Sequence, residues 1–162
     1  MQHQATVRAL VQATDQVHWV REWPKTPTWR DHLHRLLAPD AYLFDQDAAP
    51  PLPWVDRPAG AFERSGWRIR AAYLQRDVAF EVEYTVCQAC SLGWVEWPYS
   101  RPGYERHGLA SSALEALRRT YPGLAWHTAG GHINNSEPFW TRAGQGVPGG
   151  YAQQDTCEHA DP

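Results

Sequence analysis

Between Gly93 and Gly144 the apolar residues change period twice in a short span, and few folds accommodate both changes. Trp94, Val95 and Trp97 form a β-prone run that Pro98 is expected to end. Pro102 and Gly103 mark a turn. From Tyr104 onward Leu109, Ala113, Leu114 and Leu117 recur at helical spacing, with Glu105, Arg106, Glu115, Arg118 and Arg119 elsewhere. Pro122 and Gly123 stop that helix, and Leu124 to His127 reads as a short buried strand. Ser136, Pro138 and Phe139 open a second short helix, with Asn134 or Asn135 as its cap. The turn before the first helix matters most. Gly108 lies near the helix start, where unpaired N–H groups and the positive dipole end can hold an anion.

Upstream of this stretch the period is two. Val78, Phe80, Val82, Tyr84 and Val86 are expected on one face of a strand, with Glu81 and Glu83 on the other. Gly66 to Leu74 alternates in part and turns at Gln75–Asp77, so a hairpin precedes the strand Ser91–Trp97. That makes three sequential antiparallel strands before the helix. Met1 to Trp23 shows neither period cleanly. Thr28 to Leu37 reads as a short helix capped by Thr28 and stopped by Pro39. His32 and His34 do not share a helical face and read as surface residues. Asp40 to Gly60, rich in proline, alanine and aspartate, reads as an extended loop or a lid over a cleft.

The three cysteines are the second constraint. Cys87-Gln88-Ala89-Cys90 is a Cys-x-x-Cys pair followed by Gly93, the arrangement of a zinc knuckle. Cys157 and His159 supply one more thiol and an imidazole, and the set suits a closed tetrahedral structural Zn2+ site. The tail after Gly144 is too rich in glycine to order itself by packing, which makes anchoring through Cys157 and His159 attractive. His132 is the alternative imidazole. Two other readings stand beside zinc: free buried thiols, and a redox pair, disfavoured because no helix signal follows the cysteines.

Pro102 to Ala110, followed by Ala113, Leu114 and Leu117, resembles the acyl-CoA-binding segment of GNAT-type N-acetyltransferases, whose pattern is Gln/Arg-x-x-Gly-x-Gly/Ala at a helix start. Gly108 and Ala110 fill the two small positions and Glu105 the Gln/Arg position. Asn134, Ser136, Phe139, Trp140 and Gly144 resemble the family's later Asn- and Phe-Tyr-bearing helix, with Trp140 in the place of the tyrosine. The resemblance implies an α+β fold of GNAT type: a mixed, mostly antiparallel sheet flanked by helices, with the CoA-binding helix after the third or fourth strand. It also implies an acetyl-CoA cosubstrate held by Val95, Trp97, Glu105, Arg106, His107, Gly108, Leu109, Ala110, Ser111, Asn135 and Phe139. Glu96, on the strand ahead of that helix, is the implied base; Tyr99 and Tyr104 are candidate acids. The chain then reads as one domain: residues 1–65 shape the acceptor side, 66–144 hold sheet and acyl-CoA core, and 145–162 form a metal-clamped tail.

His127, Gly130, Gly131 and His132 cluster after the short buried strand, where a histidine serves either as a base near neutral pH or as a hydrogen-bonded structural group. Nine tryptophans in 162 residues exceed what a core needs and suggest a groove. A formal net charge of -3 argues against a nucleic-acid partner. No apolar run approaches a membrane span and no secretory signal opens the chain, so the expected location is the cytoplasm, away from membranes. The expected function is acetyl transfer to a small-molecule or peptide amine, with room for a homodimer. The rival is a catalytically inactive GNAT-like or zinc-knuckle module acting through protein contacts.

Overall fold

A computed structural model describes residues 2–20, 49–59, 66–132 and 136–160. The expected helix at Thr28–Leu37, residues 40–48 and 60 of the expected loop, and both Asn134 and Asn135 lie outside the described residues. The chain is α+β. Helix α1 (Gln2–Gln12) leads into strand β1 (Val17–Trp19); β2 (Trp54–Pro58), β3 (Arg68–Leu74), β4 (Asp77–Cys87) and β5 (Leu92–Ser100) follow. Helix α2 (Leu109–Thr120), β6 (Ala125–His127) and α3 (Glu137–Ala143) complete the order. The six strands form one mixed sheet in sequence order, with β1–β2 and β5–β6 parallel and the three pairs between them antiparallel.

Both faces of the sheet are covered. On one face α1 contributes Val7 and Leu10, and α2 contributes Leu109, Ala113, Leu114 and Leu117, all packed on Trp54, Phe80, Val82, Tyr84 and Val95. The four helical positions expected from spacing are therefore the buried ones. On the other face Trp67, Ile69, Ala71, Cys87 and Trp94 form a smaller core that Ala160 and Cys157 of the tail cover.

Three expectations change. Trp54–Pro58, read as loop, is a strand inside the sheet, so the helix follows the fifth strand rather than the third or fourth. Its polar Asp56 is fully buried, bonded by Arg68 Nε at 2.5 Å, Arg70 Nε at 2.9 Å and the Tyr84 hydroxyl at 2.7 Å. Such pairing is what allows a carboxylate in a core. Burial and the Asp56 carboxylate in turn push the Tyr84 phenol well above its ordinary value. Secondly, β5 continues through Pro98. An extra residue enters β5 between the pairs Glu83–Glu96 and Glu81–Tyr99, and Trp97 takes a left-handed φ of 48°. A bulge leaves an N–H unneeded, so proline is tolerated there. Thirdly, the pairing shifts between Ala72 and Tyr73, and this bulge turns Val78 to the second face, away from Phe80 and Val82.

Candidate functional site

Strands β5 and β6 pair only from Leu92–Ala125 to Trp94–His127. Beyond that point the backbone ladder stops, because β5 bulges at Trp97 and β6 gives way to Gly130-Gly131. A cleft of about 750 Å³ occupies the gap, within the ordinary size of small-molecule sites. One wall is β5 from Val95 to Tyr99; the facing wall is Thr128 to His132; Ala110 of α2 and Ser136, Phe139 and Trp140 close the end.

A side chain bridges the gap where the ladder fails. The Gly130 N–H donates to Glu96 Oε1 at 2.5 Å. The absence of a side chain on that side leaves room for the contact, since a Cβ on Gly130 would stand 3.2 Å from Oε1 and press it back by a few tenths of an ångström. Glu96 is only 8% exposed, so its carboxylate sits at the cleft floor rather than on a solvated strand face. His132 is fixed on the opposite wall: Nε2 lies 2.9 Å from the Tyr151 carbonyl and 3.3 Å from Thr128 Oγ1. A carbonyl only accepts, so we assign the proton to Nε2 in the neutral ring, which leaves Nδ1 a lone pair. The ring stacks on Trp140 at 5.2 Å and 15°. His127, by contrast, has Nδ1 3.2 Å from the Ala152 carbonyl and is absent from the cleft lining, which makes it structural.

The cleft gathers Val95, Glu96, Trp97, Tyr99, Ala110 and Phe139 from the expected site. It does not gather the rest. Glu105, Arg106, His107 and Gly108 lie in the exposed turn before α2, Ser111 is exposed on α2, and Leu109 is buried in the main core. Tyr104 packs against that core outside the lining, so of the two candidate acids only Tyr99 reaches the cleft. Asn135 lies outside the described residues. Gly108 is the N-cap of α2 at φ 87°, without a side-chain cap and with no acidic residue in the first turn. Thr128 and Ala129 carried no sequence signal, and Pro98 carried only that of a strand end; they line the cleft because two strands part.

The second site is the cysteine cluster. One ligand atom each from Cys87, Cys90, Cys157 and His159 lies within 4.8 Å of the others, so these residues could hold a metal ion. Two ligands about 2.3 Å from a tetrahedral zinc stand roughly 3.8 Å apart, so the widest pair of this cluster, at no more than 4.8 Å, would close by about 1 Å. Cys90 Sγ and His159 Nδ1 are 3.4 Å apart. The Cys90 N–H, before the neighbouring Cys157 and Cys90 thiols, holds the Cys87 thiol below its ordinary value against the effect of burial. The bond to Cys87, and next to Cys157, pushes Cys90 up to about 11. His132 is not in the cluster, so His159 is the imidazole.

The tail that supplies Cys157 and His159 also braces the cleft wall. Gly149 crosses so close to β6 that a Cβ would meet the Trp126 carbonyl at 2.5 Å. The Thr128 N–H then donates to the Ala152 carbonyl, the Gln154 N–H to the Thr128 carbonyl, and Trp94 Nε1 to the Gln154 carbonyl at 3.0 Å. Burial raises the Tyr151 phenol above its ordinary value, opposed by Arg118, whose Nη1 donates to it at 2.6 Å. No known protein family, curated protein or solved structure matches the chain. Among the described residues, no helix is long and apolar enough to cross a membrane.

Proposed function

We propose that this chain is an acetyl-CoA-dependent N-acetyltransferase that acetylates a primary amine by direct transfer. The observation that carries the reading is the parting of the parallel strands β5 and β6 around a buried carboxylate. Such a gap has the shape to take an extended chain between two strands. The uncapped start of α2 at Gly108 supports the same reading, because exposed N–H groups at a helix N-terminus suit a pyrophosphate. Acetyl-CoA supplies an activated thioester. Glu96 takes the proton of the bound ammonium, and the amine attacks the thioester carbonyl directly; the C–S bond breaks as the amide C–N bond forms, and CoA leaves as the thiol with a proton from Tyr99 of the lining, which the second proton shed by the nitrogen replaces. The three cysteines all belong to the metal cluster and none lines the cleft, in keeping with transfer that needs no enzyme nucleophile.

In this reading the metal is zinc, held by Cys87, Cys90, Cys157 and His159 in a closed structural site, in keeping with an all-thiolate-and-imidazole donor set. It would pin the tail to the turn that opens β5. The function is tested by following loss of the thioester of acetyl-CoA in the presence of mixed primary amines. Amine-dependent loss supports it; a rate equal to the protein-free control across the panel refutes it.

A further inference from the structure

Two aromatic side chains stand out of the surface at one end of the cleft. Trp97 is 65% exposed and Tyr99 50% exposed, and both line the cavity. Trp97 is held there by a left-handed backbone, φ 48°, at the β5 bulge. A non-glycine residue seldom adopts that conformation, and such strain concentrates where a side chain must be aimed. Pro98, Ala129 and Phe139 continue the apolar lining inward. The ionisable groups on the lining are Glu96, Tyr99 and His132, and no arginine or lysine is among its described residues. The polarity is therefore graded: flat and apolar at the lip, anionic at the floor.

We infer that the acceptor is a small primary amine carried on a flat aromatic body, its ring lying on Trp97 and Tyr99 and its ammonium directed to Glu96. This rests on the proposed acetyl transfer and narrows its substrate. An acidic acceptor would find no cation on the lining, and a polyamine would find one carboxylate for several charges. Ring stacking on tryptophan and attraction of an ammonium to a desolvated carboxylate act together only for an aromatic amine.

The test is a calorimetric titration of the full chain with 2-phenylethylamine, with 2-phenylethanol, butylamine and spermidine as comparisons and no thioester present. 2-Phenylethylamine is expected to bind at least tenfold more tightly than each comparison. Trp97→Ala is expected to weaken it tenfold or more, and Trp97→Phe to keep it within threefold. Trp97 is largely exposed, so neither variant threatens the fold. Equal binding of spermidine, equal binding of the alcohol, no binding at millimolar amine, or an unchanged Trp97→Ala titration would each overturn the inference. Because the experiment contains no donor, its failure leaves acetyl-CoA binding standing, and loss of acetyl-CoA binding in a separate titration would count against the transferase reading instead.

Discussion

Replacing Glu96 with glutamine separates the structural part of this carboxylate from its chemical part. The side chain keeps its shape, and the amide oxygen still accepts from the Gly130 N–H that now lies 2.5 Å from Oε1. What changes is a charge-assisted bond becoming a neutral one, a loss of about 1–1.5 kcal/mol. For a chain of 162 residues that lowers the melting temperature by roughly 2–6 °C. The chemical loss is larger. An amide cannot take a proton from an ammonium, and removal of a positioned base costs roughly 100- to 10,000-fold in rate, about 3–5 kcal/mol. We therefore predict that Glu96→Gln melts within a few degrees of the parent and loses at least 100-fold in amine-dependent thioester consumption. Thermal melts and steady-state rates on the same preparations measure both. A variant that turns over within threefold of the parent would show that Glu96 only bridges the two strands.

With the proposed zinc held by the cluster, Cys157→Ser should abolish metal binding and free the tail beyond Gln154, seen as loss of metal in elemental assay and faster amide exchange at Thr128 and Gln154; equal metal content would take the tail out of the site. The parent should release its zinc as pH falls, because thiolates and imidazole bind metal only when deprotonated, and metal retained to pH 3 would contradict thiolate ligation. Gly108→Glu should weaken acetyl-CoA binding by roughly 100-fold through like-charge repulsion at the start of α2. A Cβ there meets nothing within 4 Å, so a calorimetric titration of folded variant is feasible, and unchanged affinity would refute the anion site. Tyr84 is protonated in the fold, with its phenol raised above the ordinary value of about 10 by burial and the neighbouring Asp56 carboxylate. A raised folded pKa gives stability that is complete below pH 10 and lost progressively above it. Chemical denaturation from pH 8 to 11 should show that loss, and Tyr84→Phe should flatten it while costing about 1.5–3 kcal/mol at neutral pH for the bond to Asp56; an unchanged alkaline slope would contradict the assignment.

Helix α2 and most of β4 are legible in the sequence because one face of each is buried, so burial writes its period directly into Leu109, Ala113, Leu114 and Leu117 and into Phe80, Val82 and Tyr84. The Cys/His set is legible for a different reason: metal ligation restricts residue type and spacing more tightly than packing does. β2 is hidden by its own chemistry. Asp56 and Arg57 read as loop residues, and only the arrival of Arg68, Arg70 and Tyr84 from neighbouring strands makes a buried Asp56 affordable. The two bulges leave no local mark either, since an extra residue in a strand is set by its partner's register. The cleft inherits that difficulty. Glu96 and Trp97 are legible on a strand and Tyr99 lies past its expected end at Pro98, whereas Thr128, Ala129 and the seat of His132 depend on where β6 leaves β5 and on a tail folded back from far along the chain.

The central claim is that the gap between β5 and β6 receives an acyl-CoA. Calorimetric titration of the full chain with acetyl-CoA, on protein whose zinc content is assayed from the same batch, tests it most directly. The account predicts saturable binding at a single site with micromolar affinity, about -8 kcal/mol. The absence of any binding heat across several temperatures, in folded protein carrying one zinc per chain, would contradict it.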